Sequence, residues 1–314
     1  MARVAVIQRP PVFLGRAATL ARAVDAVHEA AQDGAQLVVF SEAFIAGYPA
    51  WIWRLRPGPD MALSERMHER LRASAVNLPA GDLAPLCEAA REHHVSIVCG
   101  INEVDAQFSR GTIYNCVVVI GADGTLINRH RKLMPTNPER MVWGFGDASG
   151  LRVVDTPCGR IGTLICWESY MPLARSALYA QGVQLYIAPT YDSGERWLAT
   201  MQHIAREGGC WVVGCGCVLQ GRDLADEALV AAGVFPDPDE WINAGDSVIV
   251  APGGKIVAGP LHQQQGVLSL DLDLDRIGPA RRSLDVAGHY ARPDVFSLRV
   301  NTRALAPVEF ADHG

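Results

Sequence analysis

The sequence predicts an α/β fold in which helices pack on mixed β-sheets. Short apolar runs typical of buried strands alternate with segments whose apolar residues recur at helical spacing. Several neighbouring runs are also joined by tight turns, which pair strands antiparallel. A purely parallel, doubly wound sheet has no such hairpins, so the sequence favours α/β layers with mixed sheets.

The first third of the chain alternates strands with helices. Apolar residues recur at helical spacing through residues 17–32, and Gly34 is placed to end that helix. A second helical pattern covers residues 82–94, where Asp82 is positioned to cap the N-terminus. Short apolar runs before and between these helices predict strands at residues 3–8, 36–41 and 95–101.

The middle of the chain contains hairpins. The strand at residues 113–120 is followed by Gly-Ala-Asp-Gly at 121–124, which turns the chain back into a strand at 126–130. A second turn, Pro-Cys-Gly, joins the strands predicted at residues 152–156 and 161–166. Both pairs are therefore expected to run antiparallel.

The last third returns to alternation. Helical patterns at residues 173–181 and 194–207 each precede a strand, at 184–188 and 211–217 respectively. A Pro-Gly-Gly turn predicts a late hairpin, and one more strand follows it; these strands are at residues 247–251, 256–258 and 266–272. No internal repeat or linker divides the chain, which predicts one domain over residues 1–300 and a short tail at 301–314.

Two segments resemble surface insertions between these elements. Residues 49–72 carry tryptophans and a Pro-Gly-Pro break, and residues 220–241 mix charges with apolar residues around Pro-Asp-Pro. Either segment could be a plain loop, a pocket lid or a subunit contact.

Composition excludes several classes of partner. The chain has 28 Lys and Arg against 34 Asp and Glu, a net charge of −6, and no basic patch, so nucleic acid is not an expected partner. The N-terminus is strand-like and lacks the order of a signal peptide, and no apolar run reaches the length of a membrane span. Eight cysteines lie mostly inside apolar runs, which favours free, buried thiols. A cytoplasmic protein is predicted.

Three chemically useful side chains stand where apolar strands end. Cys166 ends one strand at a possible helix start, Glu42 ends another, and Lys132 ends a third. A thiolate at a helix N-terminus has a lowered pKa, which suits a nucleophile. Taken singly, the cysteine would be a core residue and the two charged residues would be solvated. A thiol, a base and a cation would form a site if their strands are neighbours.

Other chemistries fit less well. Adjacent His93 and His94 point to different faces of a helix, and Cys215 and Cys217 alternate inside an apolar strand, so a metal site is not expected. No histidine is singled out as a partner for a cysteine protease. The Gly-Phe-Gly at residues 144–146 lacks the third glycine of a dinucleotide-binding loop.

A series of short blocks runs in order along most of the chain. They are Phe40-Ser41-Glu42-Ala43-Phe44, Gly47-Tyr48-Pro49, Tyr114-Asn115, Arg131-Lys132-Leu133-Met134-Pro135-Thr136, Glu139-Arg140, Trp143-Gly144, Cys166-Trp167-Glu168, Pro189-Thr190, His203-Ile204-Ala205, Glu207-Gly208 and Gly288-His289-Tyr290-Ala291-Arg292-Pro293-Asp294. From Val4 to about Leu298 the chain resembles the nitrilase (carbon-nitrogen hydrolase) superfamily. The Lys-Leu-x-Pro-Thr block and the Gly-His-Tyr tail resemble its true nitrilase branch. Ser169 stands where many nitrilases have Asn, and Ser41 where Pro is frequent; neither replaces a reacting group.

The resemblance implies a four-layer α-β-β-α sandwich with two mixed sheets. It also implies that Glu42 is the general base, that Cys166 forms a thioimidate and then a thioester, and that Lys132 stabilises the negative charge on the substrate. Glu139, seven residues after Lys132, matches the family's additional site glutamate, although an ion pair with Lys132 would also account for it. No metal or organic cofactor is implied.

The resemblance further implies that the substrate is an organic nitrile, converted to a carboxylic acid and ammonia. An amidase of the same superfamily, acting on a small amide, is the alternative enzyme, and a non-catalytic member would be expected to lack a site residue. The predicted substrate-binding residues are Tyr48, Trp167, Thr190 and Tyr191. Further aromatic residues are candidates for the pocket walls or for the core: Trp51, Trp53 and Trp197. Family members assemble as dimers and helical oligomers, so a homodimer that builds a larger homo-oligomer is expected, without nucleic acid or membrane as a partner.

Overall fold

Thirteen strands and seven α-helices occur within residues 1–308, the part of the chain that the computed structural model describes. The strands are β1 (Ala2–Gln8), β2 (Leu37–Phe40), β3 (Ser96–Val104), β4 (Ile113–Ile120), β5 (Leu126–Arg131), β6 (Val153–Thr156), β7 (Gly159–Thr163), β8 (Leu185–Thr190), β9 (Trp211–Gly216), β10 (Val218–Gln220), β11 (Trp241–Ala251), β12 (Lys255–His262) and β13 (Gly266–Leu272). The helices are α1 (Arg16–Gln32), α2 (Met61–Ser74), α3 (Ala84–His93), α4 (Pro172–Ala180), α5 (Glu195–Glu207), α6 (Glu227–Ala231) and α7 (Ile277–Ser283).

The strands form two mixed sheets. The first has the order β13-β1-β2-β3-β4-β5, in which β1, β2 and β3 are parallel and the other pairings are antiparallel. The second has the order β10-β11-β9-β8-β7-β6, with β12 paired to β11, and its parallel strands are β7, β8 and β9. The mixture of parallel and hairpin pairings predicted from the sequence is confirmed.

Alternation along the strands explains how the layers stack. In β2, Val39 belongs to the cluster between the two sheets, whereas Val38 belongs to the cluster under α1 and α3. Side chains of successive strand residues point to opposite faces, so a fully apolar strand is buried on both. On the far side, α4 and α5 cover the second sheet with residues such as Leu178 and Trp197. The result is the four-layer α-β-β-α sandwich that the resemblance implied.

The two segments interpreted as surface insertions are parts of one further core. Residues 49–72 contain a 3-10 turn at Ala50–Trp53 and most of α2, and Trp51, Met67 and Leu71 are fully buried. Leu229 and Phe235, from the other segment, belong to the same cluster. The two segments therefore pack against each other. Neither segment is a plain loop.

Some local predictions were wrong. Helix α3 begins at Ala84, and Asp82 does not cap it; its carboxylate instead accepts from the backbone N–H of Asn77 and pairs with Arg16. The strand predicted to reach Cys166 ends at Thr163. The one-domain division stays a prediction, and residues 309–314 of the predicted tail lie outside the described residues. Within residues 1–308, no helix combines the length and apolarity needed to cross a membrane.

Truncating Leu71 tests whether α2 belongs to the core. Leu71→Ala is expected to lower the free energy of unfolding by about 2–5 kcal/mol, because a fully buried leucine leaves a cavity. Met61→Ala on the same helix, where the side chain is 39% exposed, is the matched control and is expected to change it by less than about 0.5 kcal/mol. The measurement is denaturant unfolding. Equal, small effects of both variants would contradict a structural role for this helix.

Candidate active site

Two of the three strand-exit residues meet in a buried ion-pair cluster. Glu42 follows β2 and Lys132 follows β5, and their side chains are fully buried. The Lys132 Nζ lies 2.8 Å from Glu42 Oε1 and 2.7 Å from Glu139 Oε2. The lysine therefore sits between two carboxylates and completes a charge-assisted hydrogen bond with each.

The backbone around Lys132 and Glu42 is positioned by continued strand pairing and by two glycines. The N–H of Lys132 donates to Asn115 O and its carbonyl accepts from Gly146 N, both at 2.8 Å, so β5 pairing continues past its last strand residue. A Cβ on Gly146 would lie 2.2 Å from Arg131 O, and one on Gly100 would lie 2.2 Å from Ser41 O. Both glycines permit a close backbone approach that a side chain would block.

Glu42 has a hydrogen-bond partner on each oxygen besides the lysine. Its Oε1 also accepts from Asn115 Nδ2, and its Oε2 accepts from the backbone N–H of Tyr191, both at 2.6 Å. Burial raises the pKa of Glu42 above its ordinary value, although Lys132 acts to lower it. The carboxylate is thus a stronger base than a solvated glutamate, which suits a proton acceptor.

Lys132 remains a cation in this setting. Burial acts to lower its pKa, but the negative charges of Glu42 and Glu139 raise it more strongly, so the pKa of Lys132 lies above its ordinary value. The ammonium also lies 6.0 Å from the centroid of the Trp143 ring. A fixed positive charge is consequently available beside the thiol.

Glu139 is held from three directions. Its Oε2 accepts from the backbone N–H of Thr136 as part of a capping box, as well as from Lys132, and its Oε1 accepts from the Tyr48 hydroxyl at 2.7 Å. The predicted alternatives for Glu139, a site carboxylate and a partner for Lys132, therefore describe the same contact. Burial raises the pKa of Tyr48 well above its usual range, so this hydroxyl keeps its proton and donates.

Cys166 begins a five-residue 3-10 turn, Cys166–Tyr170, with a backbone φ of +53°. The residue is only 4% exposed. Burial, and next the charge of Glu42, raise the pKa of Cys166 well above its ordinary value, while Lys132 and a hydrogen bond from Thr190 act to lower it. The predicted lowering of this pKa by a helix N-terminus was wrong, because the turn is short and the thiol is desolvated. The Cys166 side chain is therefore a protonated thiol at neutral pH.

Comparisons with known proteins identify the family of this chain. The profile of the carbon-nitrogen hydrolase family matches residues 3–282. The chain belongs to the carbon-nitrogen hydrolase family. A bifunctional nitrilase/nitrile hydratase of Nicotiana tabacum is 42% identical over 312 residues, covering 98% of this chain and 88% of that protein. An aliphatic nitrilase of Sinorhizobium fredii is 41% identical over 307 residues, covering 98% and 97%. These relatives place the chain in the nitrilase branch, as an enzyme of the nitrilase type.

Solved structures support the fold of this carbon-nitrogen hydrolase. The crystal structure of Nit3 from Saccharomyces cerevisiae, a member of branch 10 of the nitrilase superfamily, matches with a TM-score of 0.69. Its sequence identity is 21%, and the match covers 92% of this chain and 96% of that one. At this identity the likeness extends to the architecture alone.

The predicted substrate-binding residues occupy two kinds of position. Tyr48 and Tyr191 stack with ring centroids 3.6 Å apart beside the ion-pair cluster, and Thr190 is buried at the end of β8. Trp167 is 46% exposed, and its indole N–H donates to Asp192 Oδ2 at 2.9 Å. Trp167 lies on an open groove of about 780 Å³, whose walls also include Tyr170, Asp192, Arg196 and Thr200.

The other aromatic candidates divide between core and site. Trp51 and Trp197 are fully buried in hydrophobic clusters, so the core is the correct one of the two predicted alternatives for both. Trp53 donates from its indole N–H to the Tyr48 hydroxyl at 3.0 Å and remains half exposed. Residues that sequence reasoning gave no role are Asn115, which binds Glu42, and Glu168, which binds the backbone on both sides of the site.

The pH dependence of alkylation tests the state of the thiol. Because burial raises the pKa of Cys166, its thiolate is a minor form at neutral pH, and iodoacetamide labelling should accelerate about tenfold per pH unit between pH 6.5 and 9. Peptide mass spectrometry reads labelling at Cys166, and Cys87, half-buried on α3, is the internal reference. A Cys166 rate that already levels off below pH 7 would show a low-pKa thiolate and contradict this description.

Proposed function

We propose that the protein is a nitrilase that hydrolyses an organic nitrile to a carboxylic acid and ammonia through a covalent Cys166 intermediate. The observation that carries the proposal is the buried Lys132, hydrogen-bonded to both Glu42 and Glu139 and electrostatically coupled to Cys166. Nucleophile, base and fixed cation are the groups that attack on a nitrile carbon requires. The nitrilase names of relatives about 40% identical over nearly the whole chain agree with it.

The first step forms the carbon–sulfur bond. Glu42 accepts the thiol proton as Cys166 attacks the nitrile carbon, and one π-bond of the nitrile breaks to place negative charge on nitrogen. Lys132 stabilises that charge, and Glu42 passes the proton it took from the thiol to the nitrogen, which gives a thioimidate and restores the Glu42 carboxylate. The pKa of Glu42, raised by burial, makes its carboxylate basic enough to compete for the proton of a desolvated thiol.

The later steps add two waters. Glu42 takes a proton from the first water as it attacks the thioimidate carbon, and the nitrogen leaves as ammonia once protonated, which leaves a thioester. A second water, activated in the same way, releases the carboxylic acid and returns the proton to sulfur. The net reaction consumes one nitrile and two waters and yields one acid and one ammonia, without a metal or organic cofactor.

Glu139 and Tyr48 support the cation in this scheme. The Glu139 carboxylate accepts hydrogen bonds from Lys132, from the Thr136 N–H and from the Tyr48 hydroxyl. These contacts fix its orientation, and its hydrogen bond to Lys132 in turn fixes the position of the ammonium. Thr190 supplies a hydrogen bond that acts to lower the pKa of Cys166, which favours the thiolate as the proton leaves. We assign Glu139 to the reaction as the group that holds Lys132 charged and in place.

The substrate proposed is a nitrile with an aromatic or arylaliphatic group. The exposed face of Trp167, the residue after Cys166, offers flat apolar surface on the groove beside the site. Relatives named bifunctional suggest that part of the product is the amide, formed when the tetrahedral intermediate expels the thiol instead of ammonia.

An amidase remains the second candidate, because the same three groups can hydrolyse an amide. The observation that favours it is the fold shared with an amidase from Nesterenkonia sp., at a TM-score of 0.63 and 21% identity. The Lys-Leu-x-Pro-Thr block and the nitrilase names of the more similar relatives favour the nitrile.

Assembly and location belong to the same proposal. We infer a homodimer that builds a larger or helical homo-oligomer, because Leu173 and Met171 on and before α4, together with Phe296 near the end of the described chain, expose large apolar surface. A cytoplasmic location agrees with eight free cysteines, among them the proposed nucleophile.

A matched panel tests the reaction. Purified protein is given an aliphatic, an aromatic and an arylacetonitrile, each beside its amide, and ammonia and acid are measured. Ammonia and acid are expected from a nitrile, Cys166→Ala is expected to reduce turnover to background, and Cys87→Ala on α3 is expected to leave it unchanged. Ammonia from the amides alone would establish the amidase instead. Full turnover by the Cys166→Ala variant would refute the covalent mechanism.

A further inference from the structure

We propose that Glu168 and His130 form a positioning clamp that sets the Cys166 thiol against the Lys132 ammonium. Glu168 is the only residue within 1–308 whose side chain hydrogen-bonds to the backbone just before Cys166 and also to the backbone just after Lys132. The inference rests on the proposed function, because it assigns these two residues to the geometry of the same reaction.

On the thiol side, Glu168 closes a ring around Cys166. Its Oε2 accepts from the backbone N–H of Ile165 at 2.7 Å, and its own N–H donates to the carbonyl of Ile165 at 3.0 Å. Cys166 lies inside this ring. Two hydrogen bonds between Ile165 and Glu168 therefore enclose the backbone of Cys166.

On the cation side, the same carboxylate holds both flanks of Lys132. Its Oε1 accepts from the backbone N–H of Leu133 at 2.8 Å, and both of its oxygens lie 3.0 Å from His130 Nε2. His130 is two residues before Lys132 and Leu133 is one residue after it. One carboxylate thus links the cation segment, which comes from the first sheet, to the nucleophile turn, which comes from the second.

The backbone at Cys166 needs such a link. Its φ of +53° lies in the left-handed region, which a residue with a Cβ occupies only where its surroundings over-determine it. The turn has only five residues, and Ile165 supplies no side-chain cap. The bonds to Glu168 supply the restraint, so loosening them should let the thiol leave the attacking position.

His130 has no other polar contact to explain its burial. Both side chains are completely buried, and the Nδ1 of His130 has no hydrogen-bond partner within residues 1–308. Its Nε2–H is therefore directed to Glu168 alone. Buried charge-assisted hydrogen bonds do not compete with water and fix orientation strongly. We assign both residues as positioning residues, since neither is bonded to the proposed reacting groups themselves.

The test uses three variants and two readouts. Glu168→Gln replaces one acceptor oxygen by an N–H donor, His130→Leu removes the donor at similar size, and His130→Gln keeps an amide N–H near the position of Nε2. The first readout is steady-state turnover of the nitrile found active with the wild-type protein, with kcat and KM separated. The second is iodoacetamide labelling of Cys166 without substrate, with Cys99 and Cys215, both fully buried in the core, as reporters of general unfolding.

A misplaced thiol should lower the chemical step and leave binding nearly unchanged. Glu168→Gln is expected to lower kcat about 100-fold with little change in KM. His130→Leu is expected to lower kcat at least about tenfold, and His130→Gln to retain most of it. Labelling of Cys166 should become faster in Glu168→Gln and His130→Leu, while labelling of Cys99 and Cys215 stays at the wild-type rate.

Two results would overturn the clamp. One is wild-type kcat in both Glu168→Gln and His130→Leu. The other is a loss of turnover matched by faster labelling of all three cysteines, which would show general destabilisation. Where His130→Leu does not fold, the kcat values of Glu168→Gln and His130→Gln are compared instead. The clamp predicts a loss of kcat in Glu168→Gln and little loss in His130→Gln, and wild-type kcat in Glu168→Gln would overturn it. If the wild-type protein turns over no nitrile, the proposed function fails, and the labelling of Cys166 against Cys99 still tests the clamp.

Discussion

The structure of the site depends on one buried cation held between two carboxylates. Lys132 has no contact with solvent, so its charge is compatible with the fold only because Glu42 and Glu139 lie within hydrogen-bond distance. Desolvation of the same space raises the pKa of both Glu42 and Cys166. Removal of water therefore explains the basic carboxylate and the protonated thiol, and the two neighbouring carboxylates explain why Lys132 keeps its positive charge against the same desolvation.

The fold produces this arrangement by bringing the ends of two sheets together. Glu42 and Lys132 leave the first sheet at β2 and β5, and Cys166 leaves the second after β7. A site divided between two sheets needs a connection across the interface. The Glu168 carboxylate supplies that connection through contacts on both sides. The geometry of the proposed site and the packing of the two sheets are for this reason coupled, although Glu42, Lys132 and Cys166 themselves lie outside the strands.

Local pattern was sufficient for most of the fold, whereas the roles of Cys166, Glu42 and Lys132 were predicted only with the family resemblance and stay predictions. An apolar run such as Leu37–Phe40, bounded by helical repeats, predicts a buried strand, and Glu42 stands out as a carboxylate two residues after that strand ends. Burial that arises between distant segments could not be predicted in this way. Met67 and Leu71 are core residues because residues from 224–235 pack in the same cluster with them. The spacing of apolar residues within either segment does not indicate this contact. The raised pKa of Cys166 and the contacts of Glu168 likewise depend on segments that meet only after folding.

The most direct test of the central constraint is the pH dependence of the free energy of unfolding in Lys132→Met, beside the wild-type protein. Methionine keeps the apolar stem and removes the charge, so the pKa of Glu42 should rise further. A folded state that binds more protons than the unfolded state loses stability as pH rises. We expect the variant to be destabilised by about 3–5 kcal/mol at pH 8 and by clearly less at pH 5. Equal stability of the two proteins, with the same pH dependence, would contradict the account.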